Sequence, residues 1–139
     1  MKVLFDTNIL LDVLLNRKPF SETAAQLIGR VESAEIEGFV CATTMTTLHY
    51  LATKAMGRVK AIEQVALFLK LFDVAPVNRA VLESALTSRP SDFEDGVLMT
   101  AAHHAGVEAI ITRNLKDFKN APLPIYHPKE FLKMLQSAS

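Results

Sequence analysis

The chain has little cysteine, glycine, proline or tryptophan, and it carries no excess of charge of either sign. Its one cysteine, Cys41, has no partner for an internal disulfide and lies in an apolar stretch, so we expect a buried thiol and a reducing cytoplasm. With 50% hydrophobic residues and only five glycines and six prolines, the composition excludes a disordered or collagen-like chain. The sequence therefore predicts a globular protein.

No long uninterrupted apolar run is present near the amino terminus. Asp6, Asn8 and Asp12 interrupt the most hydrophobic stretch there, which a signal peptide or a membrane span would not tolerate. We therefore expect no targeting segment and no membrane partner.

The charge balance also limits the partners. Fifteen basic and fifteen acidic residues cancel, so the molecule has no net positive charge that would attract nucleic acid. Any contact with nucleic acid must therefore depend on a local cluster of basic residues. The available basic clusters are Arg17-Lys18, Lys54 with Arg58 and Lys60, and Arg113 with Lys116 and Lys119. Each is explained most simply as solvated surface charge.

Apolar strands alternate with helical patterns along all 139 residues. This order is typical of an α/β fold with a parallel sheet covered on both faces, and the length fits a single domain over residues 1–139. The predicted strands are 3–5, 39–42, 74–77, 109–112 and 125–126. The predicted helices are 8–15, one capped by Ser21, 44–57, 58–72, one from about 78, one from Ser91 to Gly106, and one from Pro128.

Asp6 follows the first strand and stands before the next apolar run. Ligands in open α/β sheets bind beyond the carboxyl ends of strands, so Asp6 is a candidate site residue. Asp6 and Asn8 together offer the oxygen ligands that Mg²⁺ or Mn²⁺ prefers. Asn8 has an alternative role as the cap of the following helix.

A second acidic group opens the helix after Pro90. Ser91 to Glu94 has the S-x-x-E form of a capping box, and the acids there favourably oppose the helix dipole. Asp95 differs, because it shares a helix face with Met99 and Ala102 and should point toward the sheet. An inward carboxylate needs a partner, and a cation shared with Asp6 is the strongest candidate.

Polar residues also follow the strand 109–112. Asn114 and Asp117 would lie at the same sheet edge as Asp6, although Asp117 is equally well explained as a turn residue. Such a cluster could hold one or two divalent cations that generate hydroxide and stabilise the charge of a phosphoryl displacement. Phosphodiester hydrolysis fits these groups.

Other chemistries have weaker support. Cys41 has no activating neighbour in sequence, and His103 lies about 12 Å along the helix from Asp95, which prevents a shared zinc ion. A phosphatase that uses Asp6 as a nucleophile would normally have an acid at residue 8, where this chain has asparagine.

The three polar motifs, at residues 3–8, 92–95 and 110–118, together resemble the PIN domain. The resemblance covers nearly the whole chain and implies a three-layer, Rossmann-like α/β/α fold with a central parallel sheet of four to five strands. It also implies metal-dependent ribonuclease activity, frequent homodimers and, for many small prokaryotic members, a role as the toxin of a toxin-antitoxin pair.

By position, Asp6 and Asp95 match the first and third acids of the PIN family, the pair most directly tied to Mg²⁺ or Mn²⁺. The second acid is replaced by Thr47 and the fourth by Asn114, as in some PIN subgroups. Fewer carboxylates should lower the affinity for metal. Glu94 or Asp117 could compensate.

The leading hypothesis is a Mg²⁺- or Mn²⁺-dependent endoribonuclease of the cytoplasm, a toxin with an antitoxin partner. Asp6, Asp95 and Asp117 are its candidate catalytic residues, Asp6 and Asp95 its metal ligands, and Asn8, Thr47, Glu94 and Asn114 its supporting residues. The alternative is a catalytically weak or inactive PIN fold that binds RNA or a partner protein.

Overall fold

A computed structural model describes residues 1–138. Its strands are β1 (Lys2–Phe5), β2 (Glu37–Cys41), β3 (Asp73–Ala75), β4 (Ala109–Ile111) and β5 (Ile125–Tyr126). Its helices are α1 (Thr7–Leu14), α2 (Ser21–Glu32), α3 (Ala42–Met56), α4 (Arg58–Leu71), α5 (Arg79–Thr87), α6 (Phe93–His104) and α7 (Pro128–Ala138). A short 3-10 turn, Leu115–Phe118, follows β4.

The five strands form one parallel sheet in the order β3-β2-β1-β4-β5. The chain builds the sheet outward from β1 to β2 and β3, and then crosses to the other side of β1 to add β4 and β5. The strand order therefore reverses between β1 and β4. In open α/β sheets, the crevice beyond the carboxyl ends of strands at such a reversal is the usual ligand site.

Helices cover both faces of the sheet, because alternate residues of its strands point to opposite sides. On one face, Val3 and Phe5 pack in a core with residues of α1, α2, α3, α4 and α7. On the other face, Leu4 packs with residues of α5 and α6 and with Phe118 from the 3-10 turn. The predicted three-layer α/β/α fold with a parallel sheet is confirmed.

Several element ends coincide with the sequence-based prediction, and the others differ from it by one or two residues. Helix α1 begins at Thr7 rather than at residue 8, and its N-cap is Asp6, so the proposed capping role of Asn8 is wrong. Ser21 is the first residue of α2 rather than its cap. Among the described residues, no helix combines the length and hydrophobicity that a membrane span requires.

The predicted capping box at the start of α6 is also wrong. The N-cap of this helix is Asp92, whose Oδ1 accepts a hydrogen bond from the backbone N–H of Asp95 at 3.1 Å. The helix therefore starts one residue later than the S-x-x-E pattern indicates. Aspartate and serine are about equally good caps, so the residue types alone do not decide between Asp92 and Ser91.

Candidate active site

Asp6 lies at the end of β1, where the strand order reverses. Its backbone N–H donates to the carbonyl of Ile111 in β4 at 3.0 Å, so the residue is held against the neighbouring strand. Its Oδ1 accepts from the backbone N–H of Thr7 at 2.7 Å as the cap of α1. The side chain is buried, with 6% exposure for the residue. Strand, cap and burial together fix one orientation of this carboxylate.

The other oxygen of Asp6 is held by Thr112, the residue that follows β4. The hydroxyl of Thr112 donates to Oδ2 of Asp6 at 2.7 Å. The same hydroxyl oxygen accepts from the backbone N–H of Asn114 at 3.0 Å. Thr112 thus connects the ends of β1 and β4 at the carboxyl edge of the sheet.

Asn8 lies in the first turn of α1 beside Asp6. Its Nδ2 lies 3.3 Å from Oδ2 of Asp6 and 3.4 Å from Oγ1 of Thr112. Its Oδ1 is buried and has no hydrogen-bond partner among the described residues. A buried carbonyl oxygen without a donor is costly unless a ligand, an ion or water satisfies it.

Asp95 is half-buried in the first turn of α6. Burial, followed by the negative charge of Asp6, raises the pKa of Asp95 from its ordinary value of 3.8 to about 7. Smaller contributions in the same direction come from Asp92, Asp117 and Glu94. A carboxyl that repels its neighbours in this way is electrostatically suited to a shared cation.

Neighbouring acids also act on Asp6. Burial is the largest cause that raises the pKa of this carboxyl, while the hydrogen bonds from Thr112 and Thr7 lower it. Glu94 and Asp117 raise the pKa further. The negative charges of Glu94 and Asp117 thus act on both Asp6 and Asp95, and we call these four residues the acid cluster.

Thr47 and Glu94 meet at the edge of the acid cluster. Thr47 lies in α3, one turn from its start, and its Oγ1 is 3.5 Å from Oε1 of Glu94 in α6. The threonine that stands where the PIN pattern has its second acid therefore has a carboxylate from another helix beside it.

Asn114 and Asp117 lie on the exposed segment after β4. The backbone N–H of Asp117 donates to the carbonyl of Asn114 at 3.1 Å, so a tight turn connects them. Phe118 is buried and anchors this turn to the core beneath α6. Asp117 is therefore a turn residue whose negative charge also reaches Asp6 and Asp95, and its catalytic role stays a prediction.

Asp12, which was not predicted as a site residue, is the most deeply buried charged side chain in the described part of the protein, at 1% exposure. Its carboxylate binds Arg17 at 2.9 Å and Arg113 at 2.7 Å. The interpretation of Arg17 and Arg113 as solvated charge is therefore wrong. A signal was present, since an aspartate between Leu11 and Val13 in an apolar helix requires a cationic partner.

The resemblance implies a divalent cation, and the residues present fit one. Residues 1–138 contain no group of three or more His, Cys, Asp or Glu side chains placed to hold a metal ion. Asp6 and Asp95 would be the carboxylate ligands, and the unpartnered Oδ1 of Asn8 offers a neutral oxygen. Two carboxylates suffice for Mg²⁺, which usually retains several waters.

A protein-family model described as a PIN domain matches residues 2–116. The chain belongs to the PIN domain family. Its matched region includes β1, the acid cluster except Asp117, and β4. No curated protein matches the chain.

Solved PIN-like structures share the fold at low sequence identity. A toxin-antitoxin complex from Klebsiella pneumoniae aligns with a TM-score of 0.70 and 24% identity, over 91% of this chain and 97% of that one. DNA-bound VapBC from Salmonella typhimurium aligns with a TM-score of 0.71 and 20% identity, over 92% and 98%. VapC20 from Mycobacterium tuberculosis, described as a toxin that cleaves the sarcin-ricin loop, aligns with a TM-score of 0.61 and 14% identity, over 78% and 86%.

Proposed function

We propose that this PIN domain is an endoribonuclease that uses Mg²⁺ or Mn²⁺ bound by Asp6 and Asp95. The observation that carries the proposal is the pair of carboxyls with raised pKa at the edge where the strand order reverses. When bound, the cation would stabilise the charge that develops on the phosphate during displacement. VapC20, the sarcin-ricin loop cleaving toxin, shares the fold and supports RNA as the substrate class.

The residues of this chain would have distinct roles in the reaction. Thr112 and Thr7 fix the orientation of Asp6 through hydrogen bonds to its two oxygens. Asn114 and Asp117 are exposed after β4, where an incoming phosphodiester and its attacking water can be oriented. Glu94 supplies negative charge beside Thr47 and compensates for the missing second acid.

The decisive experiment is cleavage of single-stranded RNA by the purified chain with MnCl₂. Asp6→Asn and Asp95→Asn should each abolish cleavage and weaken Mn²⁺ binding measured by calorimetry, because each removes a charged ligand. Asp73→Asn is the matched control, since Asp73 is an exposed aspartate at the start of β3. Cleavage that survives both site substitutions, or absent cleavage with Mn²⁺, would overturn the proposal.

The depleted set of acids favours one alternative, a PIN fold that binds RNA or a partner protein without cleaving. Its supporting observation is that no three metal-binding side chains converge among residues 1–138. Calorimetry separates the two functions, because a pure binding module has no need of Mn²⁺ at Asp6 and Asp95.

We also propose that the protein is the toxin of a cytoplasmic toxin-antitoxin pair and forms a homodimer. The toxin-antitoxin complexes among the solved structures support the first part. Helix α4 exposes large apolar side chains that suit a protein partner, namely Val59, Ile62, Leu67 and Leu69. Expression of this protein alone should arrest host growth, and co-expression of a neighbouring antitoxin gene should restore growth. For the homodimer, light scattering of the purified protein should give twice the mass of one chain.

A further inference from the structure

Asp12 holds two arginines from different parts of the chain. Its Oδ2 accepts from Nε of Arg113 at 2.7 Å, and its Oδ1 accepts from Nη2 of Arg113 at 3.0 Å and from Nε of Arg17 at 2.9 Å. Apolar replacements of buried ion pairs are often neutral or stabilising, so stability alone explains such a set poorly. The directional, two-pronged contact with Arg113 indicates a geometric role.

Arg113 is held on a second side as well. Its guanidinium carbon lies 3.8 Å from the ring centroid of Phe20, so the planar group is stacked on an aromatic face while its edge binds Asp12. A planar group fixed at both its edge and its face has little freedom. The backbone of residue 113 is therefore tied to α1 and to the start of α2.

The residues on either side of Arg113 act on Asp6. The Asn114 N–H donates to Oγ1 of Thr112, and the Thr112 hydroxyl donates to Oδ2 of Asp6. A threonine hydroxyl has one hydrogen, and a donor already bound to its oxygen leaves that hydrogen for the carboxylate. Rotation of the peptide between Arg113 and Asn114 would remove this 3.0 Å donor and leave only the longer 3.4 Å contact from Nδ2 of Asn8, so the hydroxyl would be held less firmly toward Asp6.

We propose that Asp12 and Arg113 are positioning residues of the candidate active site: their ion pair fixes the peptide before Asn114 and thereby orients the Thr112 hydroxyl toward Asp6. The orientation of the Thr112 hydroxyl toward Asp6 is a property of the chain without metal. Its consequence, tighter binding of the cation at Asp6, rests on the proposed function.

The test compares Arg113→Lys with Arg17→Lys. Both arginines bind the same carboxylate, and lysine keeps the charge but loses the planar fork. Only Arg113 adjoins Thr112 and Asn114, whereas Arg17 otherwise donates to the helical carbonyl of Asn8 at 3.3 Å. Amide hydrogen exchange of Asn114, read by NMR without metal, should be about fivefold faster in Arg113→Lys. Mn²⁺ affinity, read by calorimetry, should fall about tenfold.

Arg17→Lys should leave both quantities at the wild-type value, with thermal unfolding used to show that each variant is folded. Equal effects of the two variants, or unchanged exchange in Arg113→Lys, would reduce Asp12 to a purely structural role and overturn the inference. If Arg113→Lys does not fold, Phe20→Leu decides, because it removes only the stacked ring and should still accelerate exchange at Asn114. If the wild type binds no Mn²⁺, the proposed function fails while the exchange measurement still decides the positioning role.

Discussion

The hydroxyl of Thr112 donates to Oδ2 of Asp6 at 2.7 Å, although the two residues are 106 positions apart in the sequence. Both side chains are buried at the carboxyl edge of the sheet, one after β1 and the other after β4. These strands are neighbours because the strand order reverses between them. The contact therefore ties the local geometry of the acid cluster to the topology of the whole sheet.

Thr112→Val should destabilise the protein by roughly 1–3 kcal/mol, because the buried Oδ2 of Asp6 loses its shorter hydrogen bond and keeps only the 3.3 Å contact with Asn8, while the Asn114 N–H loses its acceptor. It should also raise the pKa of Asp6 further, since the bond from Thr112 lowers it. Thr112→Ser keeps the hydroxyl and should destabilise the protein less than Thr112→Val does. Urea unfolding measures both variants, and equal losses would mean that the buried methyl group, rather than the hydrogen bond, is important.

The stability of the metal-free protein should fall as the pH rises toward 7. Burial and the charge of Asp6 raise the pKa of Asp95 to about 7, whereas an unfolded aspartate loses its proton near pH ~4. Between these values the folded state binds more protons than the unfolded state, so the free energy of unfolding decreases with increasing pH. Asp95→Asn should flatten this dependence in urea unfolding measured from pH 4.5 to 7.5, a window spanning about these two values.

The matched control for this pH dependence is Asp73→Asn at the exposed start of β3. It should keep the wild-type slope, because Asp73 lies outside the acid cluster. A wild-type stability that increases steadily across the window would contradict the electrostatic description of Asp95.

Asp12→Ala should lower the free energy of unfolding by about 3–5 kcal/mol, because it leaves two half-buried guanidinium groups without their shared carboxylate. Glu35→Ala is the control, because it breaks an ion pair with Arg30 in which the glutamate side chain is 50% exposed. It should lower the free energy of unfolding by at most about 1 kcal/mol. Chemical denaturation of both variants measures the difference. Comparable losses would show that the burial of Asp12 has little energetic effect.

Gly38→Ala should destabilise the protein by about 1–3 kcal/mol through overpacking. A Cβ at this position in β2 would lie 2.7 Å from ring carbons of Phe72 and 2.8 Å from Cγ1 of Val31. Gly29→Ala, in the exposed interior of α2, meets nothing within 4 Å and should stabilise by roughly 0.5–1 kcal/mol. Thermal unfolding should therefore shift in opposite directions, and a shared direction would contradict the packing argument.

Much of the fold could be predicted because its signals are local. Apolar runs alternate with helical patterns, and polar residues such as Asp6 and Asn114 mark strand ends. Capping was harder to predict, since Ser91 and Asp92 are both good caps and only the actual path of the chain selects Asp92. Element ends depend on such small energy differences between neighbouring residues.

The sequence by itself determined the α/β class, the PIN resemblance, and the selection of Asp6 and Asp95 as candidate site residues. Only the tertiary structure decided that Thr112 orients Asp6 and that Asp12 holds Arg17 and Arg113. The physical reason is that hydrophobic periodicity specifies which face of each element is buried, but not which strands become neighbours. The placement of β4 beside β1 follows from the packing of the complete sheet, and these contacts depend on that placement.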